Sequence, residues 1–233
     1  MRRLGWVVIV ALAVANPAMA GPLEDGIAAF DRGDYASALR LWRPLAEQGD
    51  AAAQYNLGNA YVQGRGVVRN FTEAVNWYRK AADQDLSEAQ FNLGNLYENG
   101  RGVLQDHTEA AKWYRKAAEQ GDANAQYNLG NLFFNGQGVR RDHAEALNWI
   151  RRAADQGHSH AQYNLGFSYT TGEGVPRDYV QAHLWFSLAA ARLPASETES
   201  RSNAMRNRDI IAGKMTPAQI AEAQGLARGW KPK

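Results

Sequence analysis

The sequence predicts an all-α chain, a solenoid of four 36-residue helix pairs between N- and C-terminal helical caps, and three repeated blocks predict it. Ala53-Gln-Tyr-Asn-Leu-Gly58 returns from Ala89 (with Phe for Tyr), Ala125 and Ala161, each time 36 residues on. Gly64-x-Gly66-Val67 returns in the same register from Gly100, Gly136 and Gly172, and Ala74-x-x-Trp77 returns from Ala110, Ala146 and Ala182. Self-similarity at such a period marks architectures in which each unit buries its apolar face only against its neighbours.

In chain order, Arg2 and Arg3 precede an apolar run from Leu4 to Ala15, then Asn16-Pro17 and the small-x-small triplet Ala18-Met19-Ala20. That order reads as a cleavable signal peptide over 1–20, cut between Ala20 and Gly21. The run is short of the roughly 20 residues that a membrane-spanning helix needs, so no stable membrane insertion is expected after cleavage. A periplasmic or secreted location follows. Removing two arginines leaves 24 basic and 24 acidic side chains. A neutral chain lacks the basic excess that phosphate backbones demand, which argues against a nucleic-acid partner. With no cysteine the fold must hold by packing alone.

Residues 21–50, with Phe30-x-x-Gly33-Asp34-Tyr35-x-x-Ala38, read as a degenerate leading helix pair, and Pro44 predicts a kink in its second helix. Four units follow over 51–194: 51–86, 87–122, 123–158 and 159–194. In the first helix of a unit, Ala53, Leu57 and Tyr61 stack four apart, and Gly58 allows close approach of a neighbour. Gly64, Gly100, Gly136 and Gly172 stand where a left-handed residue closes that helix. The second helix opens on Asn70-x-x-Glu73, Asp106-x-x-Glu109, Asp142-x-x-Glu145 or Asp178-x-x-Gln181, which predicts a capping box in every unit. Arg79 with Asp83, Arg115 with Glu119 and Arg151 with Asp155 are four apart and predict surface pairs. Residues 195–233 form the closing cap, where Ser196-x-x-Glu199 and Thr216-Pro217-x-Gln219 each open a helix.

The Leu-Gly-x-x-Tyr run at Leu57, Leu93 and Leu165, and Leu129-Gly130-x-x-Phe133, resembles the tetratricopeptide helix pair. The 36-residue period, the Gly-x-Gly-Val turn and Ala-x-x-Trp-Tyr-Arg-Lys-Ala-Ala at 74–82 and 110–118 resemble more specifically the Sel-1-like repeat family. The resemblance implies a right-handed α/α superhelix that binds proteins, with the first helix of each pair lining the concave surface. It also implies a rival reading, since some cysteine-rich relatives have been assigned hydrolysis of cell-wall peptides or β-lactams, and a third, a secreted effector or inhibitor.

Catalytic chemistry finds no foothold in the residues. No serine stands in a nucleophile elbow, the Gly-x-Gly loops follow helices where a phosphate cradle would follow a strand, and His158, His160 and His183 define no metal geometry. No enzyme activity, cofactor or metal is expected. The periodic tryptophans share a face with small alanines and read as core.

Subtracting these structural positions leaves one face of the first helix. Tyr55, Asn56 and Asn59 lie at about 200°, 300° and 240° from Ala53 at 100° per residue. The same face carries Phe91, Asn92 and Asn95, then Tyr127, Asn128 and Asn131, then Tyr163 and Asn164 with Phe167 in place of a third Asn. Asn donates and accepts, which suits an extended peptide backbone, and the aromatics add contact area. These eleven residues are the candidate partner-binding set. A competing reading gives the Asn amides to neighbouring helices, most strongly at Asn56 and its equivalents, and leaves Asn59, Asn95 and Asn131 the freer. The carboxylate-clamp form of tetratricopeptide domains carries Lys where Tyr55 and Phe91 stand, so a C-terminal carboxylate is not the expected ligand. The residues do not specify the partner or an oligomeric state.

Overall fold

The computed structural model describes residues 21–233; the leader assigned to 1–20 and its cleavage point lie outside the described residues. Twelve α-helices are present among them and no strand, so the all-α array of helix pairs expected from the repeats is the fold observed. The chain divides into two compact units, with the division after Ala117.

In the first unit, α1 (Pro22–Asp31) pairs with α2 (Tyr35–Glu47), α3 (Ala51–Gln63) with α4 (Phe71–Ala82), and α5 (Ser87–Asn99) is followed by α6 (His107–Glu119). Trp42 is the buried centre of the leading pair, packed on Phe30 and Leu57. The helix α2 continues through Pro44 to Glu47, because a missing N–H at that position costs one bond near the C-terminus and not the helix. Ala74, Tyr78 and Ala81 of α4 meet Ala89, Leu93 and Leu96 of α5 in the next layer of core.

In the second unit, α7 (Ala123–Asn135) pairs with α8 (His143–Asp155), and α9 (Ser159–Thr171) with α10 (Tyr179–Arg192). Then come α11 (Thr198–Ala212) and α12 (Pro217–Gly229). Ile150, Leu165, Trp185, Phe186 and Ile211 share one core, against which Trp230 packs. Lys233 closes the end by donating its backbone N–H to the Asp155 carbonyl at 2.9 Å.

The repeated glycines act as the pattern predicts. Gly64, Gly100, Gly136 and Gly172 have φ of 62 to 80° and end the first helix of each pair. Gly58 and Gly94 lie under the rings of Tyr78 and Tyr114, where an added Cβ would stand 2.5 and 2.7 Å from ring carbons. Caps of the second helices form as expected in their first half: Asn70, Asp106 and Asp142 each accept two backbone N–H groups. The reciprocal arm of the expected capping box is not made in α4, α8 or α10. Glu109 binds Lys112 at 2.6 Å and Glu145 accepts from the Trp149 indole at 2.8 Å, partners one turn along the same helix.

Two surface expectations are likewise redirected. Arg79 and Arg151 donate to the hydroxyls of Tyr97 and Tyr169 on the following helices, with guanidinium carbons 5.8 and 5.6 Å from those ring centroids. A planar cation gains more from an aromatic face and hydroxyl than from an exposed carboxylate in water. The tryptophans are core on one side only. Trp149 and Trp185 are buried, whereas Trp77 and Trp113 are half-buried under Lys80 and Lys116 ammonium groups at 4.1 and 4.5 Å.

Candidate partner-binding face

The first helices that carry the candidate residues are held in place by a side chain not singled out above. Gln54, Gln90, Gln126 and Gln162 are buried, and each donates from Nε2 to the carbonyl of Ala46, Ala82, Ala118 or Ala154 at 3.0 to 3.1 Å. Each bond adds a second donor to a carbonyl in the last turn of the preceding helix, which already accepts the backbone N–H of Gly49, Asp85, Gly121 or Gly157. Gln84 and Gln156 add a second layer by donating to Gln54 and Gln126 at 2.8 and 2.9 Å. The register role that competed for the asparagines is thus carried in large part by glutamine. The signal was available, since Gln follows Ala without substitution in all four blocks.

In the first unit the face is built around tyrosines of the second helices. Tyr55, Asn56 and Asn59 are 3%, 1% and 4% exposed. The Tyr78 hydroxyl donates to Asn59 Oδ1 at 2.6 Å, and Asn92 hydrogen-bonds the same phenol. Burial, with Tyr55 beside it, pushes the Tyr78 phenol well above its ordinary range, so it stays a donor. Tyr114 is placed in the same way, its single hydroxyl proton shared between Glu98 Oε2 at 2.6 Å and Asn95 Oδ1 at 3.0 Å, while Asn95 Nδ2 reaches the Phe91 carbonyl at 3.2 Å. Phe91 and Asn92 are half-buried. The expectation that Asn59 and Asn95 stand free is therefore corrected: a tyrosine hydroxyl from the paired helix engages each. Both amide atoms of Asn56, and Asn59 Nδ2, are buried without a hydrogen-bond partner.

The second unit differs at one position. Where Tyr78 and Tyr114 stand in the earlier pairs, the third pair has Ile150. With no phenol between them, Asn164 Nδ2 donates directly to Asn131 Oδ1 at 3.3 Å. A cavity of about 280 Å³ opens there, lined by Asn131, Phe134, Ile150, Tyr163, Asn164 and Phe167 among others. Phe167 is 46% exposed at its side. Tyr163 accepts from Asn207 of α11 at 2.9 Å and packs edge-on to Phe186, so the face continues onto α11, which the pattern of 36 did not reveal. Asn128 is half-buried. Tyr127 stacks on His158 with centroids 4.6 Å apart.

His158 caps α9 where Asp50 and Asp122 cap α3 and α7. Its Nδ1 accepts the Ala161 N–H at 3.1 Å, which requires that nitrogen unprotonated. Burial, with His160 nearby, lowers its pKa to about 4. Among the described residues no group of three or more His, Cys, Asp or Glu is placed to hold a metal ion.

The Sel1 repeat family model matches residues 19–50, 51–86, 87–122, 123–158 and 159–192. The chain belongs to the Sel1 repeat family. Among solved structures, a Sel1 repeat protein from Oxalobacter formigenes is 31% identical over 91% of this chain and 93% of its own, with a TM-score of 0.71. A second relative is c5321, a protective antigen of uropathogenic Escherichia coli with the same repeat fold. It is 32% identical at a TM-score of 0.57, and the match covers 90% of this chain and 52% of that one. A Sel1 repeat protein from Klebsiella pneumoniae shares the fold at 18% identity and a TM-score of 0.50 over 82% and 91%. No curated protein matches the chain. No helix among the described residues is long and apolar enough to cross a membrane. The Sel1 scaffold is of a kind that serves protein–protein interaction.

Proposed function

We propose that this Sel1 repeat chain is a non-catalytic scaffold that holds a protein or peptide partner on the part of the Asn and aromatic face carried by α7 and α9, in the periplasm or outside the cell. The observation that carries the reading is the open cavity of the second unit. There, two Asn amides joined by a long 3.3 Å bond stand beside exposed Phe167 and the Tyr163 ring. An apolar recess edged by a few amides is the arrangement that recognises a side chain and its backbone together. The location rests on the leader pattern of residues 1–20.

The experiment is capture of a partner from a periplasmic extract by the mature chain, followed by cross-linking and mass spectrometry. Changing Asn131 and Asn164 together to Ala should abolish retention while shifting the melting temperature little, since both side chains are partly exposed and share only a long bond. Retention unaffected by this pair would overturn the placement of the site. Fractionation that leaves the chain in the cytosol, or hydrolysis of cell-wall peptides or β-lactams by the purified protein, would overturn the location and the non-catalytic role respectively.

A further inference from the structure

The third repeat lacks something that the two repeats before it contain. At Tyr78 and Tyr114 a phenol rises from the second helix, lies over Gly58 or Gly94, and delivers its hydroxyl to an Asn of the first helix. The supporting glycine is retained as Gly130, but the residue above it is Ile150, which has no hydroxyl to offer Asn131. The volume no longer filled by a ring is the cavity between α7, α8 and α9.

From this vacancy we infer that the cavity is an anchor pocket for one apolar side chain, aromatic or branched aliphatic, of an extended segment of a partner protein. Asn131 and Asn164 engage the backbone of that segment. The inference rests on the protein-binding reading above and specifies the chemistry of its ligand.

Size and openness are compatible with a single side chain. Pockets for drug-sized molecules run from about 300 to 1,000 Å³ and enclose most of their ligand. At about 280 Å³ and open to the surface, this one lies at the small end of that range and has room for a side chain presented from a chain that stays outside. Chemistry selects which side chain. Ile150, Phe134 and Phe167 give the recess apolar walls, and no charged group lines it, so a Lys, Arg, Asp or Glu entering it would lose its hydration without a partner. Beside the Tyr163 and Ser168 hydroxyls, the lining has the Asn131 and Asn164 amides, which can donate to a carbonyl and accept from an N–H, the two needs of an extended backbone. Interface anchors of this kind, an aromatic or aliphatic group in a pocket with amides at its edge, carry most of the affinity of the complexes they serve.

The test restores the missing phenol. Ile150→Tyr places in the third repeat the residue carried by the first two, over a glycine already there, and should leave the melting temperature near that of the parent. The probe is N-acetylphenylalaninamide, titrated into the isotopically labelled mature chain with backbone shifts followed by NMR. N-acetylaspartamide serves as the polar control. Shifts should concentrate at Phe134, Asn164 and Phe167, be absent with the aspartamide, and weaken at least about tenfold in Ile150→Tyr, the loss expected when one anchor is excluded. Should Ile150→Tyr fail to fold, Phe167→Ser removes one exposed wall and should weaken the probe in the same way.

Equal shifts in the parent and in Ile150→Tyr, or equal response to both amides, would overturn the pocket. An extracted partner that Ile150→Tyr retains as well as the parent would overturn the anchor while sparing the scaffold reading. Probe binding in the pocket, with no partner retained by either chain, would sink the scaffold reading and leave the pocket's side-chain chemistry standing.

Discussion

Gln126 is buried with its amide used at both ends, donating to the Ala118 carbonyl at 3.1 Å and accepting from Gln156 at 2.9 Å. Gln126→Met keeps the volume and removes both bonds, and should lower unfolding free energy by roughly 1–3 kcal/mol, read from urea denaturation. Asn164→Ala, at a half-exposed position, should cost less than about 0.5 kcal/mol. Equal losses at the two sites would return the register role to the asparagines. His158 gives the chain a pH dependence of definite sign. Its folded pKa of about 4 lies below the ordinary 6.5, so the unfolded chain binds the extra proton first. Stability is therefore full above pH 6.5 and falls as pH drops toward 4, by about 3 kcal/mol when the whole interval is crossed. His158→Asp, the cap residue of α3 and α7, should flatten that limb in melts recorded from pH 7 to 4. An unchanged slope would mean that the buried ring is not its source. The glutamine repeats in the sequence at every unit, so its position was legible but its carbonyl partner was not, and a cap His looks like any other until burial is known.

Helices, by contrast, were written plainly into the chain. Glycine at fixed intervals, Asn or Asp before each second helix and small residues on one face each encode a local backbone requirement, so boundaries could be read without knowing tertiary contacts. What the sequence left open was where long side chains reach, because Arg79 and Arg151 choose partners that only packing brings near. The packing of helix on helix is tight where small residues repeat. Gly94→Ala adds a methyl 2.7 Å from a ring carbon of Tyr114, and although alanine favours the helix by about 1 kcal/mol, displacing a buried ring costs about 1–3 kcal/mol. Net destabilisation in a thermal melt is the expected result. A stabilised variant would show that Tyr114 moves freely, and with it the hydroxyl that occupies Asn95.

Across the chain as a whole, the candidate face was legible as a list of positions but not as a surface. Helical angles put Tyr55, Asn59, Asn95 and Asn131 on the same side, yet could not tell that tyrosines from the paired helix take up Asn59 and Asn95 and not Asn131. The difference turns on a single residue type at positions 78, 114 and 150. Its consequence concerns alignment. A ligand lying along identical repeats meets the same contacts each time it slides by one unit, so it has several resting places of equal energy and no preferred one. A single repeat that accepts a side chain, set among repeats that refuse it, lifts that degeneracy. The burial of one anchor, about 1.5–3 kcal/mol, favours one alignment by roughly 10- to 150-fold over its neighbours. Ile150 is in this sense an index mark on a periodic scale.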